Sequence, residues 1–458
     1  MSAAEGEEAG TPGEPAPGGP AGEGREAALA PGTVLRFWLP LAATWLMMAT
    51  EGPFVAALVA RMAEPTLNLA AFGVALAFAF VAEAPIMMLL SATTALARDR
   101  ESLRRVGRFA ALLNGGVTVA MALAAFPPVF DLLSARVLAL PPEVAVRARL
   151  AVAVFLPWPA AIGFRRFQQG ILIAAGRTRL VAYGTVVRLA TMAGTGLALF
   201  LSSRVEGAVV GAGALSAGVV VEAAVSWAWA RGERLRLARR PPASPGDVPT
   251  FRDIQRFYWP LAVTPLMNMA SQPLVTFFVG RGNLPVESLA VLPVVNSFGF
   301  LFRCPAMAFQ EVVIALGRGG DAALRSLRSF AARLGGLASA AMALVVLTPA
   351  AGLWFAGVTG LDAALVPLAR SSAAVLVLMP AFATVVVWMH ARLVMLRTTR
   401  LVTLGTLVEL AVLAAVLFAG VGFSPGPAAI VATTAVLAGR ASGALFLLAA
   451  RSGAGPAR

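Results

Sequence analysis

Apolar residues in this chain gather into long runs separated by short polar connections. The runs cover roughly 34–60, 67–97, 106–130, 144–175, 180–201 and 207–230, then 254–280, 288–317, 329–357, 364–396, 401–420 and 427–450. A helix of about 20 apolar residues or more crosses the hydrocarbon core of a bilayer, and each run has that length. The pattern predicts an all-α polytopic membrane protein of twelve transmembrane helices. Residues 1–33 form a tail, 34–230 one six-helix bundle, 231–253 a linker, 254–450 a second six-helix bundle and 451–458 a short tail. The first thirty residues or so are Gly, Pro, Ala and Glu without an apolar run, so they bury too little surface to fold and are expected to be disordered.

The second bundle repeats the first. Arg36–Arg61 returns 220 positions later as Arg256–Arg281, with Phe37/Phe257, Pro40/Pro260, Met47/Met267, Pro53/Pro273 and Arg61/Arg281 matched. Chance matches are common among Ala, Leu and Val, but not among Arg, Phe, Met and Pro. The offset continues through Phe80/Phe300, Pro85/Pro305 and Met87/Met307, then slips by one so that Thr178–Leu189 falls on Thr399–Leu410. An even number of helices per copy makes both copies enter the membrane in the same sense. The halves are then related by an axis along the membrane normal, with the functional site between them.

Composition agrees with a bilayer: of 458 residues 59% are hydrophobic and 13% charged, and the mean hydropathy is +0.80. A net charge of +14 could suit nucleic acid, but the arginines stand at the ends of apolar runs. Most loop arginines, among them Arg98, Arg105, Arg177, Arg240, Arg318 and Arg325, fall on one set of connections. Cytoplasmic loops retain positive charge, so both termini are expected in the cytoplasm, in a multi-pass protein of the cell's inner (plasma) membrane that binds no nucleic acid. With one His and one Cys, the chain offers no metal cluster, internal disulfide or nucleophile–base set, which argues against an enzyme, a metal and a cofactor. Without lysine it has no Walker A motif for ATP. A duplicated single chain favours alternating access over a channel, with the bilayer and a small solute as partners and the monomer as the working unit.

Ionisable groups at membrane depth cost at least about 2.5–3.5 kcal/mol each and call for a partner, a pore or a function. Glu51 precedes Pro53, so its protonation could be coupled to a bend in the first helix; the alternative is a satisfied buried carboxylate. Glu51, Glu83 and Glu311 are the candidates for ion coupling. Glu83 corresponds to Arg303 while the neighbouring Phe80/Phe300 and Met87/Met307 are kept. These two residues either face each other across the axis as an interbundle pair or pair each within its own half. Arg188 likewise corresponds to Glu409, where the reading is structural. Arg165, Arg166, Gln169, Arg188, Arg303 and His390 are the candidates for lining the substrate cleft. Guanidinium groups there suit an anionic or phosphorylated cargo rather than a cation, unless Glu222 or Glu409 neutralises them.

Two six-helix repeats, with Gly170-Ile-Leu-Ile-Ala-Ala-Gly-Arg-Thr-Arg179 closing the fourth helix, resemble the multidrug and toxic compound extrusion (MATE) superfamily over about 34–450. Within it, Tyr258-Trp-Pro-Leu-Ala262 and Ser271–Arg281 are similar to the progressive ankylosis branch, whose members are linked to export of organic anions and pyrophosphate. The resemblance implies two bundles around a central cleft and efflux coupled to H+ or Na+. It leaves a lipid-linked precursor flippase of the same superfamily, or a cationic drug/toxin antiporter, as alternatives.

Overall fold

The computed structural model describes residues 29–202, 204–241, 248–317, 320–396 and 398–453. The expected tail up to residue 28, part of the expected linker and the last five residues lie outside the described residues. No strand occurs among the described residues, only helices and one isolated bridge between Asn283 and Pro427. Among the described residues, eleven helices are long and apolar enough to cross a membrane. In chain order with the one remaining long helix they are α1 (Pro31–Ala60), α2 (Pro65–Leu96), α3 (Arg100–Ala125), α4 (Pro142–Ala174), α5 (Thr178–Ser202), α6 (Gly207–Arg239), α7 (Phe251–Val279), α8 (Pro285–Leu316), α9 (Gly320–Leu347), α10 (Val366–Met395), α11 (Arg400–Val421) and α12 (Ala428–Ala450). The remaining one is α7, whose length is sufficient but whose Arg252, Asp253, Arg256, Asn268, Ser271 and Gln272 lower its hydropathy; the repeat identifies it as the partner of α1. Helix α6 runs on to Arg239, into the stretch expected as linker.

The two halves share detail below the level of helices. Glu64 and Leu284, 220 positions apart, both take the left-handed backbone conformation (φ 48° and 51°) just before Pro65 and Pro285, which open α2 and α8. Gly73 of α2 and Pro293 of α8 are also equivalent positions, and they meet: a Cβ on Gly73 would lie 2.7 Å from Pro293 Cγ. Equivalent residues touch only near the symmetry axis, so the pseudo-two-fold axis passes close to this crossing.

Proline acts alike in α4 and α10 but differently at two equivalent pairs, Pro53/Pro273 and Pro85/Pro305. Helix α1 breaks at Thr50, immediately before Glu51; α2 passes through a 3-10 turn at Ala84–Ile86; α4 breaks at Phe155–Leu156 before Pro157; and α10 has a 3-10 turn at Leu376–Leu378 before Pro380. Pro273 and Pro305, by contrast, lie inside the uninterrupted helices α7 and α8. Apolar side chains such as Leu112, Leu337 and Phe418 stand exposed on the perimeter, as a lipid-facing belt requires.

Candidate functional site

Four intramembrane charges of the first half form one chain of ion pairs. Glu222 on α6 has no exposed surface; its Oε2 accepts from Arg165 Nη1 on α4 and lies 3.5 Å from Arg188 Nε on α5. Gln169, one turn after Arg165, donates to Glu222 Oε1 at 3.2 Å. Arg188 also holds Glu51, on the first turn after the break in α1. Gly184 lets α5 approach this carboxylate, because a Cβ there would already stand 3.4 Å from Glu222 Oε1. The network ties α1, α4, α5 and α6 together, and its Glu51 end lines a cavity. Arg165 and Arg188, expected as cleft residues, are instead neutralised inside their own bundle.

The second half links the corresponding helices with the charges exchanged: Glu409 on α11 pairs with Arg440 on α12 at 3.0 Å. Arg188 and Glu409 thus do not meet each other; each finds its partner within its half. The expected contact between Glu83 and Arg303 is not formed either. Glu83 accepts from Trp158 Nε1 at 3.3 Å, and Arg303 lies over the Phe300 ring, 5.3 Å from its centroid. Arg166 points to Met87, with Nη2 3.1 Å from the sulfur. His390 is half-buried and Glu311 exposed, and neither lines any of the cavities described here.

Two adjoining cavities of about 290 and 330 Å³ occupy the region where the halves meet. They share Phe80 from the first half and Gln272, Asn296, Phe300 and Arg303 from the second. The smaller extends to Glu51, Phe72 and Leu76 of the first half; the larger reaches Asn268, Glu409 and Arg440. Because Glu51 and Glu409 each hold an arginine, the charge that faces both cavities without a carboxylate within 4.0 Å, among the described residues, is Arg303. Gln272 and Asn296 escaped the sequence reading. Their signal was a polar residue where the other half has Gly52 and Leu76, but only contact across the interface reveals its use.

The shape is shared with solved structures along nearly the whole chain. An inward-facing multidrug resistance MATE family transporter of the MOP superfamily covers 91% of this chain and 97% of its own, with a TM-score of 0.69 at 15% identity. The fold is that of the MATE transporters. The lipid II flippase MurJ in an inward closed conformation matches with a TM-score of 0.69 at 14% identity, covering 90% of this chain and 87% of its own. The eukaryotic MATE transporter AtDTX14 matches at 0.64 and 12%, covering 92% of this chain and 96% of its own. No protein-family model matches the sequence, and no curated protein matches it. On the MATE fold, the two cavities lie between the two six-helix halves, where the sequence repeat places the site.

Proposed function

We propose that this MATE-fold chain is a secondary active transporter that exports a small organic anion by alternating access between its two halves. The observation that carries the anionic reading is Arg303, a guanidinium shared by both cavities that, among the described residues, has no carboxylate within 4.0 Å. It offers forked donors to a carboxylate or phosphate, Gln272 and Asn296 add neutral hydrogen-bonding groups, and Phe72, Leu76, Phe80 and Phe300 supply an apolar wall. A cationic drug would need a free carboxylate or an acid-lined cleft, whereas Glu51 and Glu409 are both engaged by arginine. The resemblance of Tyr258–Ala262 and Ser271–Arg281 to the progressive ankylosis branch points the same way.

Coupling to H+ or Na+ is assigned to Glu51, the first-half carboxylate that touches the cleft and sits at the break in α1, where the coupling ion has to displace Arg188 from the carboxylate. The arginine distribution supports cytoplasmic termini in the plasma membrane. Transport of a lipid-linked precursor is the second reading, favoured by the likeness to MurJ.

The test is uptake kinetics in liposomes with a panel of small carboxylates, organic phosphates and lipid-linked sugars. Arg303→Gln should raise KM for an anion about tenfold or more, the loss expected when a charge-assisted contact is removed, with little change in expression. Arg165→Gln should act on stability and not selectively on KM. An unchanged KM in Arg303→Gln would remove Arg303 from the site.

A further inference from the structure

On the face that the arginine distribution puts outside the cell, each half grips the other through one arginine. Arg61, after α1, donates from Nη2 to the carbonyls of Gly357 and Val358 at 2.8 and 2.9 Å. Arg281, its equivalent after α7, donates from Nη2 to the carbonyl of Arg136 at 2.9 Å. Each also anchors itself to its own helix, Arg61 Nη1 to Ala57 O and Arg281 Nη1 to Phe277 O, both at 3.0 Å. The acceptors are equivalent too. They end the π-helical turns Leu133–Val137 and Leu353–Val358, which precede α4 and α10 in the two halves. Carbonyls at a helix C-terminus lack intrahelical donors and carry the negative end of the helix dipole, so a guanidinium is a fitting cap.

The surrounding backbone is cut to fit this closure. A Cβ on Gly280 would fall 2.1 Å from the carbonyl oxygen of Leu138 in the opposite half, so the chain beside Arg281 docks backbone to backbone. Gly360 has φ +68°, and a Cβ there would press within 3.0 Å of the Arg61 side chain. One such contact on a surface would be unremarkable for an arginine. Two at symmetry-equivalent places, each spanning the interface and each ending on a π-turn, are a built feature.

We propose that Arg61 and Arg281 are paired latches that hold the outer face of the cleft shut and release together when the halves part on that side. An outward-open state requires the outer ends of the two halves to separate, and both latches span that separation. Each contact is exposed to water, so each contributes modestly and the pair sets the balance.

The test is a distance measurement between spin labels on exposed outer positions, Leu132→Cys in the first half and Leu353→Cys in the second, in a Cys304→Ser background in lipid nanodiscs. The parent should give mainly the short distance of the closed face. Arg61→Ala and Arg281→Ala should each raise the long-distance population severalfold, and the double variant should raise it further. Arg147→Ala serves as the control, because Arg147 pairs with Glu64 and Glu206 inside the first half; it should leave the distribution as in the parent. If an alanine variant does not purify as a folded monodisperse protein, glutamine at the same position gives the same readout. Distributions in folded single and double variants that superimpose on the parent, or a control that opens equally, would overturn the proposal. The readout needs no cargo, so it is independent of what the cleft carries.

Discussion

Glu222 has no exposed surface and faces two guanidinium groups, so its loss would leave Arg165 buried without a carboxylate beside Arg188, which keeps only Glu51. Breaking a buried ion pair from one side costs about 3–5 kcal/mol. Glu222→Ala is therefore expected to lower thermal stability in detergent by an amount of that order. Glu409→Ala should cost less, because the Glu409–Arg440 pair keeps partial exposure. Equal stability of Glu222→Ala and the parent would contradict the network. The sequence placed all these charges inside the membrane and allowed for neutralisation by Glu222 or Glu409, yet it could not choose the partners. Pairing depends on how each helix is turned about its own axis, and helices apolar on nearly every face give no pattern that fixes this. Hence Glu83 and Arg303, equivalent by the repeat, engage Trp158 and the Phe300 ring instead of each other.

At the level of helices, apolar length and the repeat made α1–α12 legible, including α7, which its polar residues hide from a hydropathy criterion. Proline positions were readable, but their consequences were not. Pro53 and Pro85 adjoin a break or a 3-10 turn, whereas their equivalents Pro273 and Pro305 sit in continuous helix. Neighbouring helices can re-satisfy the backbone groups that proline frees, and that depends on packing, not on the local sequence. The crossing of α2 and α8 is more demanding. Gly73→Ala would push a methyl group against Pro293 Cγ and against Leu289 O, 3.3 Å from the added Cβ. It is expected to lower the melting temperature by several degrees and to impair transport. Adding Pro293→Ala, which removes the clashing Cγ, should restore part of the stability, and a double-mutant cycle measures the coupling. Simple additivity of the two changes would argue against this contact.

For the whole molecule, the duplication links sequence to site. It predicted a cleft between halves; the cavities at the interface and the likeness to MATE structures agree with that expectation, while the specific lining came from contacts that one sequence does not encode legibly. Orientation is a separate expectation and can be checked directly. A reporter active only in the cytoplasm should work when fused after Arg458 and fail when inserted at Pro142 or Asp362; the reverse would invert the topology and put the Arg61 and Arg281 contacts on the inner face.

Exchange in liposomes tests most directly the proposal that the cleft carries an organic anion. Purified protein should exchange labelled small organic anions down an imposed H+ or Na+ gradient, faster than protein-free liposomes, with Arg303→Gln slowed at low substrate concentration. Gradient-driven movement of cationic dyes at an undiminished rate in Arg303→Gln, with no anion exchanged by the parent, would contradict it.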